Sequence, residues 1–445
     1  MTMSGPALAK PWLASVSPRE QRAANSPQPI TTASIKNLTL GTGHSIYANS
    51  ILPAISAAHS EIIIVTCFWA RSGTLDALNE TLLALSRKGQ TQQKKIRVRI
   101  CFSSSSLFQK LFHTTSLSGR TYAPSECNRK LGLPRPEDLK GLDLEIKSIF
   151  VLPFSVMHPK FVIVDRATVL LPSCNVSWEN WFEGCLELRG EIVDHFVNFW
   201  KGFWASDGDR NLKFTSGRAG DSTERRPVAG EITSVFLLSP HHRNPQFALP
   251  WNSCPRPPQT PLNTFLLAAF ADAKRSIYIQ TPNLTSPPVL SALLAALKRG
   301  VTVAVVTSER LMILEQLLTA GTTTKRCVKK LVKRHARLMQ RRDADSSDVE
   351  SGLIASPGML SVQFYSADPR AVDAATEPVQ SHIKVTITDE EVVIFGSGNM
   401  DRASWYTSQE LGVAFFSPDL AAKMRSELDQ LLSHRTRTMY TPARR

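Results

Sequence analysis

The sequence predicts an α/β protein built from two homologous domains, and three observations carry that prediction. A strand, a helix and a second strand follow one another between Glu61 and Phe102. The same order returns between Ser276 and Thr307. Each block is followed by a longer variable stretch and then by a near-copy of one polar motif.

The elements are justified in order. Glu61 to Trp69 is a short β-branched, apolar run and reads as a buried strand. Leu75, Leu78, Leu82 and Leu85 fall at helical spacing within Leu75 to Arg87. Ile96 to Phe102 is the second strand, so the block reads as a βαβ unit with a parallel pair. In the second block Ser276 to Thr281 is a strand, Val289 to Lys298 a helix stopped by Gly300, and Val301 to Thr307 a strand. The repeat length is roughly 220 residues, too long for a solenoid. Residues 1–30 are expected to be a disordered N-terminus, 31–205 the first domain and 206–228 an exposed linker. Residues 229–434 form the second domain and 435–445 a basic tail. Arg342 to Gly358, acidic and Ser-rich, reads as a surface loop.

At 445 residues the chain is long enough for two or three domains. With 42% hydrophobic and 20% charged residues it is not a disordered chain. The net charge of +14 points to an anionic partner: nucleic acid, a membrane surface or a phosphate-bearing substrate. The helix-like stretch Lys325 to Arg342 contributes +9, the tail +4 and the first 29 residues +2, which leaves a nearly neutral body. Seven scattered cysteines with no C-x-x-C pair suggest neither a disulfide framework nor a cysteine zinc site. A reducing compartment follows: intracellular, cytoplasmic or peripheral to a membrane. No predominantly apolar run reaches 18 residues, so a spanning helix is not expected. Met1 to Ile30 lacks the apolar core of a secretory signal. Its Ser, Pro and Ala with few acids keep a mitochondrial address open.

The first motif copy is His158-Pro159-Lys160, Asp165, Ser173 and Asn175; the second is His382-Ile383-Lys384, Asp389, Ser397 and Asn399. From each histidine the Lys is 2 residues away, the Asp 7, the Ser 15 and the Asn 17. The flanks look like strands, where i and i+2 share a face. His158 with Lys160, and His382 with Lys384, are therefore expected to point the same way. Asp165 and Asp389 fall on the opposite face, which suits a salt-bridging, structural role. Ser173 with Asn175, and Ser397 with Asn399, lie just past a second strand. Lys, Asn and Ser donate to phosphate oxygens and stabilise a five-coordinate phosphorus. One imidazole attacks phosphorus while the other protonates the leaving oxygen. No metal and no cofactor is called for, because two lysines supply the positive charge.

The motif resembles that of the phospholipase D superfamily, H-x-K-x4-D-x6-G-S-x-N, once per half. The second copy matches throughout and continues through Arg402, Ser404 and Glu410; the first has Pro172 where Gly is usual. The resemblance covers about Thr31 to Ser433. It implies that each half is a mixed β-sheet flanked by helices, with the active site at a pseudo-two-fold interface in a monomer that is an internal pseudo-dimer. It implies His158 as nucleophile, His382 as general acid, and Lys160, Lys384, Asn175 and Asn399 as phosphate ligands supported by Ser173 and Ser397. A glutamate after each motif orients a histidine. In the second half it maps to Glu410, eleven residues past Asn399. Eleven past Asn175 is Leu186, and of the neighbouring Glu183 and Glu187 the latter is preferred, because Glu187-Leu188 echoes Glu410-Leu411.

The expected activity is a phosphodiesterase or phosphatidyltransferase acting on phospholipid. A nucleic-acid phosphodiesterase is the alternative, and a non-catalytic anion-binding scaffold a second one. Lys325 to Arg342 holds nine cations, no acid and apolar residues at helical spacing. It reads as a basic amphipathic helix, which either docks peripherally on an anionic membrane or nucleic acid or packs its apolar side and leaves a solvated basic face. Trp69, Trp178, Trp181 and Trp405 lie near strand ends or motifs, where they either line an acyl-chain entrance or stack on bases, or sit in the core as most such aromatics do. Arg71 is expected as an anion contact.

Overall fold

The computed structural model describes residues 12, 29–106, 118–151, 155–211, 230–240, 256–344, 356–373 and 376–442. The chain forms two units. One comprises Pro18–Glu179 and Glu183–Phe236; the other comprises Met1–Ser17, Asn180–Phe182 and Leu237–Arg445.

In order, the first half of the chain forms β1 (Ile30–Thr42), β2 (Glu61–Phe68), α1 (Gly73–Thr91), β3 (Ile96–Ser104), β4 (Leu142–Ser148), β5 (Phe161–Val164), β6 (Thr168–Pro172), β7 (Trp181–Arg189), α2 (Ile192–Phe203) and β8 (Ile232–Ser239). β2 and β3 pair in parallel, with Ile62 opposite Val98, and β4 adds in parallel to β3. On its other side β2 takes β5 antiparallel, followed by β6 and β7. The order is therefore β4-β3-β2-β5-β6-β7. Strands inside such a sheet are covered on both faces, which is why β2 reads as a continuous apolar run and is buried along nearly its whole length. Ser72 caps α1 by accepting from the N–H of Leu75. Leu75, Leu78, Leu82 and Leu85 all face the core; each burial is worth about 1.5–3 kcal/mol.

The second half forms α3 (Pro261–Asp272), β9 (Ser276–Thr281), α4 (Pro287–Lys298), β10 (Thr302–Thr307), α5 (Ile313–Ala320), α6 (Thr324–Ala344), β11 (Leu360–Tyr365), β12 (Val385–Thr388), β13 (Val392–Gly396), α7 (Arg402–Tyr406), β14 (Glu410–Phe416), α8 (Pro418–Leu432) and β15 (Thr436–Tyr440). β9, β10 and β11 are parallel neighbours, and β12, β13 and β14 continue antiparallel from β9. The order β11-β10-β9-β12-β13-β14 repeats that of the first half. The fold is thus the expected α/β architecture, two homologous mixed sheets flanked by helices.

Several expected segments have a definite place. Arg435 and Arg437 of the basic tail are structured: Arg435 makes a two-pronged ion pair with the buried Glu377, at 2.6 and 2.8 Å, and β15 pairs antiparallel with β11. Trp12 is buried, its ring edge-on to Phe265 and its Nε1 donating to Thr264 Oγ1 at 2.9 Å. The rest of 1–28, residues 212–228 of the expected linker together with 229, and 345–355 of the surface loop lie outside the described residues. The basic helix α6 turns Cys327, Val328, Leu331 and His335 inward, and it packs on α4 and β11. Its apolar side is therefore taken by the domain. Arg326, Lys329, Lys330, Lys333, Arg334 and Arg337 remain exposed. No helix among the described residues is long and apolar enough to cross a membrane.

Candidate active site

The two motif copies occupy equivalent places in the two sheets. His158 and Lys160 lie on the three residues leading into β5, and His382 and Lys384 on the three leading into β12. The expectation that each pair stands within a strand is corrected, and the cause is local. Pro159 has no N–H to offer a ladder, and the N–H groups of His382 and Ile383 both go to one carbonyl, that of Phe182. Each lysine then folds back. Lys160 Nζ donates to the carbonyl of His158 at 2.9 Å, and Lys384 Nζ to that of His382 at 2.5 Å. Both lysines are buried, so a cation is fixed at the backbone carbonyl of each histidine. His382 is itself buried, with the Trp181 ring 4.8 Å away and tilted by 45°.

The aspartates are structural, through hydrogen bonds to backbone. Asp165 accepts from the N–H groups of His59, Ser60 and Glu61 and from Ser60 Oγ, at 2.7–2.9 Å. Asp389 accepts from the N–H groups of Lys274, Arg275 and Ser276 at 2.7–2.9 Å. Each carboxylate thus ties the turn between two strands to the start of the central strand. Each also occupies a turn with two successive positive-φ residues, Asp165 and Arg166 at 50° and 51°, Asp389 and Glu390 at 53° and 58°. Aspartate tolerates that conformation better than most residues. Burial by itself raises both carboxyl pKa values, but the backbone donors outweigh it and hold them below the ordinary range.

Ser397 Oγ donates to Glu410 Oε2 at 2.5 Å and accepts from the N–H of Leu411 at 3.0 Å. Ser173 Oγ donates to Glu183 Oε2 and accepts from the N–H of Gly184 at 2.9 Å. The registers agree: Gly396 stands opposite Gly412, and Pro172 opposite Cys185. Each glutamate lies two residues ahead of that partner and is buried. Glu183 is therefore the geometric counterpart of Glu410. Glu187, preferred from sequence, is elsewhere: it pairs with Arg189 at 3.1 Å in an exposed ion pair. Counting eleven residues misleads because the second connection holds the helix α7 and the first holds none.

The asparagines differ. Asn175 Oδ1 accepts from the N–H of Phe68 at 3.1 Å and from Thr66 Oγ1 at 3.3 Å, which turns its amide donors away from β2. Asn399 Nδ2 donates to Asp401 Oδ2 at 3.0 Å, while the other oxygen of Asp401 caps α7 through the N–H of Ser404. Sequence reasoning missed Asp401 and the Trp181 contact. Each lies close in sequence to a motif residue, which is the only signal that marks either. Of the tryptophans, Trp69 and Trp405 are core; Trp178 is exposed, edge-on to Phe68. Arg71 Nη2 donates to the carbonyls of Asn128 and Arg129 at a helix end, at 3.5 and 3.0 Å.

What each unit offers chemically is a histidine whose backbone carbonyl takes a buried ammonium, and a serine bonded to a buried carboxylate. Residues 266–432 match the family model described as "Cardiolipin synthase, PLD-like domain". No curated protein matches the chain by sequence. Among solved structures, phosphatidylserine synthase of Haemophilus influenzae is similar in fold, with a TM-score of 0.56 at 14% identity, over 94% of this chain and 92% of that one. A phospholipase D family member, Nuc from Salmonella typhimurium, matches 41% of this chain and 92% of its own at 22% identity and a TM-score of 0.29. Polyphosphate kinase from Porphyromonas gingivalis matches 90% of this chain and 48% of its own at 12% identity and a TM-score of 0.47.

Proposed function

We propose that the chain is a phosphodiesterase of the phospholipase D superfamily that cleaves or transfers phosphatidyl groups through a covalent phosphohistidine, a reading supported by the family-model match over residues 266–432 and by the likeness of fold to a phosphatidylserine synthase. The observation that carries this reading is the repetition, in both units, of the buried lysine on the histidine carbonyl and of the serine on a buried glutamate. A pair of ordinary core histidines has no reason to share that surrounding.

In this reading His158 attacks phosphorus. The bond from phosphorus to the leaving oxygen breaks, and His382 supplies the proton that oxygen needs. His382 then takes a proton from water or an alcohol, whose oxygen attacks phosphorus and displaces His158. One water or alcohol is consumed per turnover and both imidazoles return to their starting state. Lys160 and Lys384 hold positive charge against the phosphate oxygens, and the Asn175 amide donates to them. Ser173 with Glu183, and Ser397 with Glu410, are positioning residues that keep the carboxylates oriented toward the histidine sites. Glu183 takes the role first assigned to Glu187. The lipid substrate is supported by the named family model and by likeness of fold to a phosphatidylserine synthase over 94% of the chain. The exposed cations of α6 favour a second reading, a nucleic-acid phosphodiesterase.

The test is a paired assay. Purified protein is offered labelled phosphatidyl lipid with a primary alcohol and, separately, single- and double-stranded DNA and RNA. A phosphatidyl-alcohol product is expected. Nucleic-acid cleavage with inert lipid overturns the lipid reading, and inertness on both overturns the enzymatic one.

A further inference from the structure

The helix α5 is built inside out. Of its eight residues Gln316 alone is buried. Leu314 and Leu318 are 78% and 62% exposed, and Ile313 and Leu317 are exposed beside them. At 100° per residue these four cover one continuous arc of roughly 140°. Met312, also exposed, starts the helix at φ 53°, in the left-handed region that a long side chain rarely enters. The helix is held in this orientation by its polar residue. Gln316 Nε2 donates to the carbonyl of Leu311 at 2.6 Å, and its Oε1 accepts from the N–H and the hydroxyl of Thr324 at 2.6 and 3.0 Å. A surface helix normally turns its leucines in and its glutamine out. Here the opposite is fixed by three hydrogen bonds.

Two further observations say where this apolar face sits and what covers it. Thr324 Oγ1 also accepts from the N–H of Leu284, and Leu284 is bridged to Met400, the residue after Asn399. α5 packs against α7, which follows Asn399. The apolar face is thus anchored to the element that carries the second motif. After the short turn 321–323, α6 begins with no acid from Lys325 to Arg342, and six of its cations are exposed. Arg310, just ahead of α5, is exposed as well. An apolar arc beside a field of cations is complementary to one kind of surface, a bilayer with anionic headgroups: the leucines enter the acyl boundary and the cations meet the phosphates.

We infer that Met312 to Leu318 is a membrane-inserting wedge and that the exposed face of α6 is its electrostatic partner, so that the second-motif end of the chain docks on anionic phospholipid. The inference rests on the lipid reading of the site for its purpose but is tested apart from it. The sequence marks only the cations; the wedge depends on which side of α5 is buried.

The experiment uses the full chain and vesicles of phosphatidylcholine with and without phosphatidylglycerol. Leu314→Ser with Leu318→Ser alters only exposed positions and leaves the fold intact. Its co-sedimentation with the anionic vesicles is expected to fall on the order of 10- to 100-fold. Lys329→Glu with Lys330→Glu and Lys333→Glu is expected to fall similarly and to remove the dependence on phosphatidylglycerol. A polarity-sensitive dye on Leu314→Cys is expected to shift to the blue on vesicles. Unchanged sedimentation of the leucine variant, or a dye that stays in water, overturns the inference. So does a parent that is dimeric in solution and a leucine variant that is monomeric, because the face is then an interface between copies. Turnover of detergent-dispersed lipid reads the proposed function separately. If it is present while vesicle binding ignores the leucines, the wedge fails and the enzyme stands; if binding follows the leucines and no lipid is turned over, the reverse holds.

Discussion

The two motif copies reach the same local geometry by different local sequences. The second has Gly396 ahead of its serine, where an added Cβ comes within 2.3 Å of the Leu411 carbonyl, so no larger residue fits without movement. The first has Pro172 at that place, opposite Cys185. The second spaces its glutamate eleven residues from the asparagine and fills the gap with α7; the first closes the gap in eight. Yet Ser173 meets Glu183 as Ser397 meets Glu410, and Asp165 and Asp389 each gather three backbone N–H groups. What is held constant is strand register and the bonds it sets, while loop length and backbone chemistry are free to vary. The asparagines show the limit of the equivalence, since one is anchored through its oxygen and the other donates to Asp401.

The largest effect should come from splitting the histidines. His158→Ala is expected to lower kcat by about 10⁴-fold or more. His382→Ala should do the same for an alkyl leaving group but recover to within about tenfold of the parent on a nitrophenyl phosphodiester, whose leaving group needs no proton. Mass spectrometry of the trapped phosphoenzyme should place the phosphoryl group on His158, and its appearance on His382 exchanges the two roles. Next, Glu183→Gln and Glu410→Gln should each reduce kcat about 100-fold and shift the pH–rate profile, whereas Glu187→Gln should stay within about twofold. Equal losses at Glu183 and Glu187 break the structural pairing of the two halves.

The remaining two are stability measurements. Gly396→Ala should cost about 2 kcal/mol by denaturant unfolding, since the new Cβ meets backbone. Pro172→Ala should cost under about 1 kcal/mol. Asp165→Asn should cost about 1 kcal/mol at neutral pH, and Asp389→Asn less, because Asp165 has the extra donor Ser60 Oγ. The folded-state pKa of Asp165 is depressed. Its contribution is therefore complete above the unfolded carboxylate value near 4 and disappears as pH falls through the folded value. The gap between parent and variant should close in acid. A gap that widens there contradicts the carboxylate's role.

The motif was legible because it is made of spacings, and spacings survive translation into structure when the intervening residues are strands. β5 to β6 and β12 to β13 are equal in length, so Asp, Ser and Asn arrive at matched places. The first-half glutamate was not legible, because it follows a connection whose length is set by whether α7 is present. The same holds for the lysines: i, i+2 spacing promised a shared strand face, but no ladder reaches those residues and the ammonium turns back to a carbonyl.

By itself the sequence determined the two α/β halves, the polar residues of both motifs and the place of the positive charge. These are properties of composition and period, written in residues near one another along the chain. The tertiary structure alone decided which glutamate meets Ser173, that α6 spends its apolar side on α4 and β11, and that α5 faces its leucines outward. Each of these depends on which face of an element a distant neighbour covers, and periodicity reports only that such a face exists.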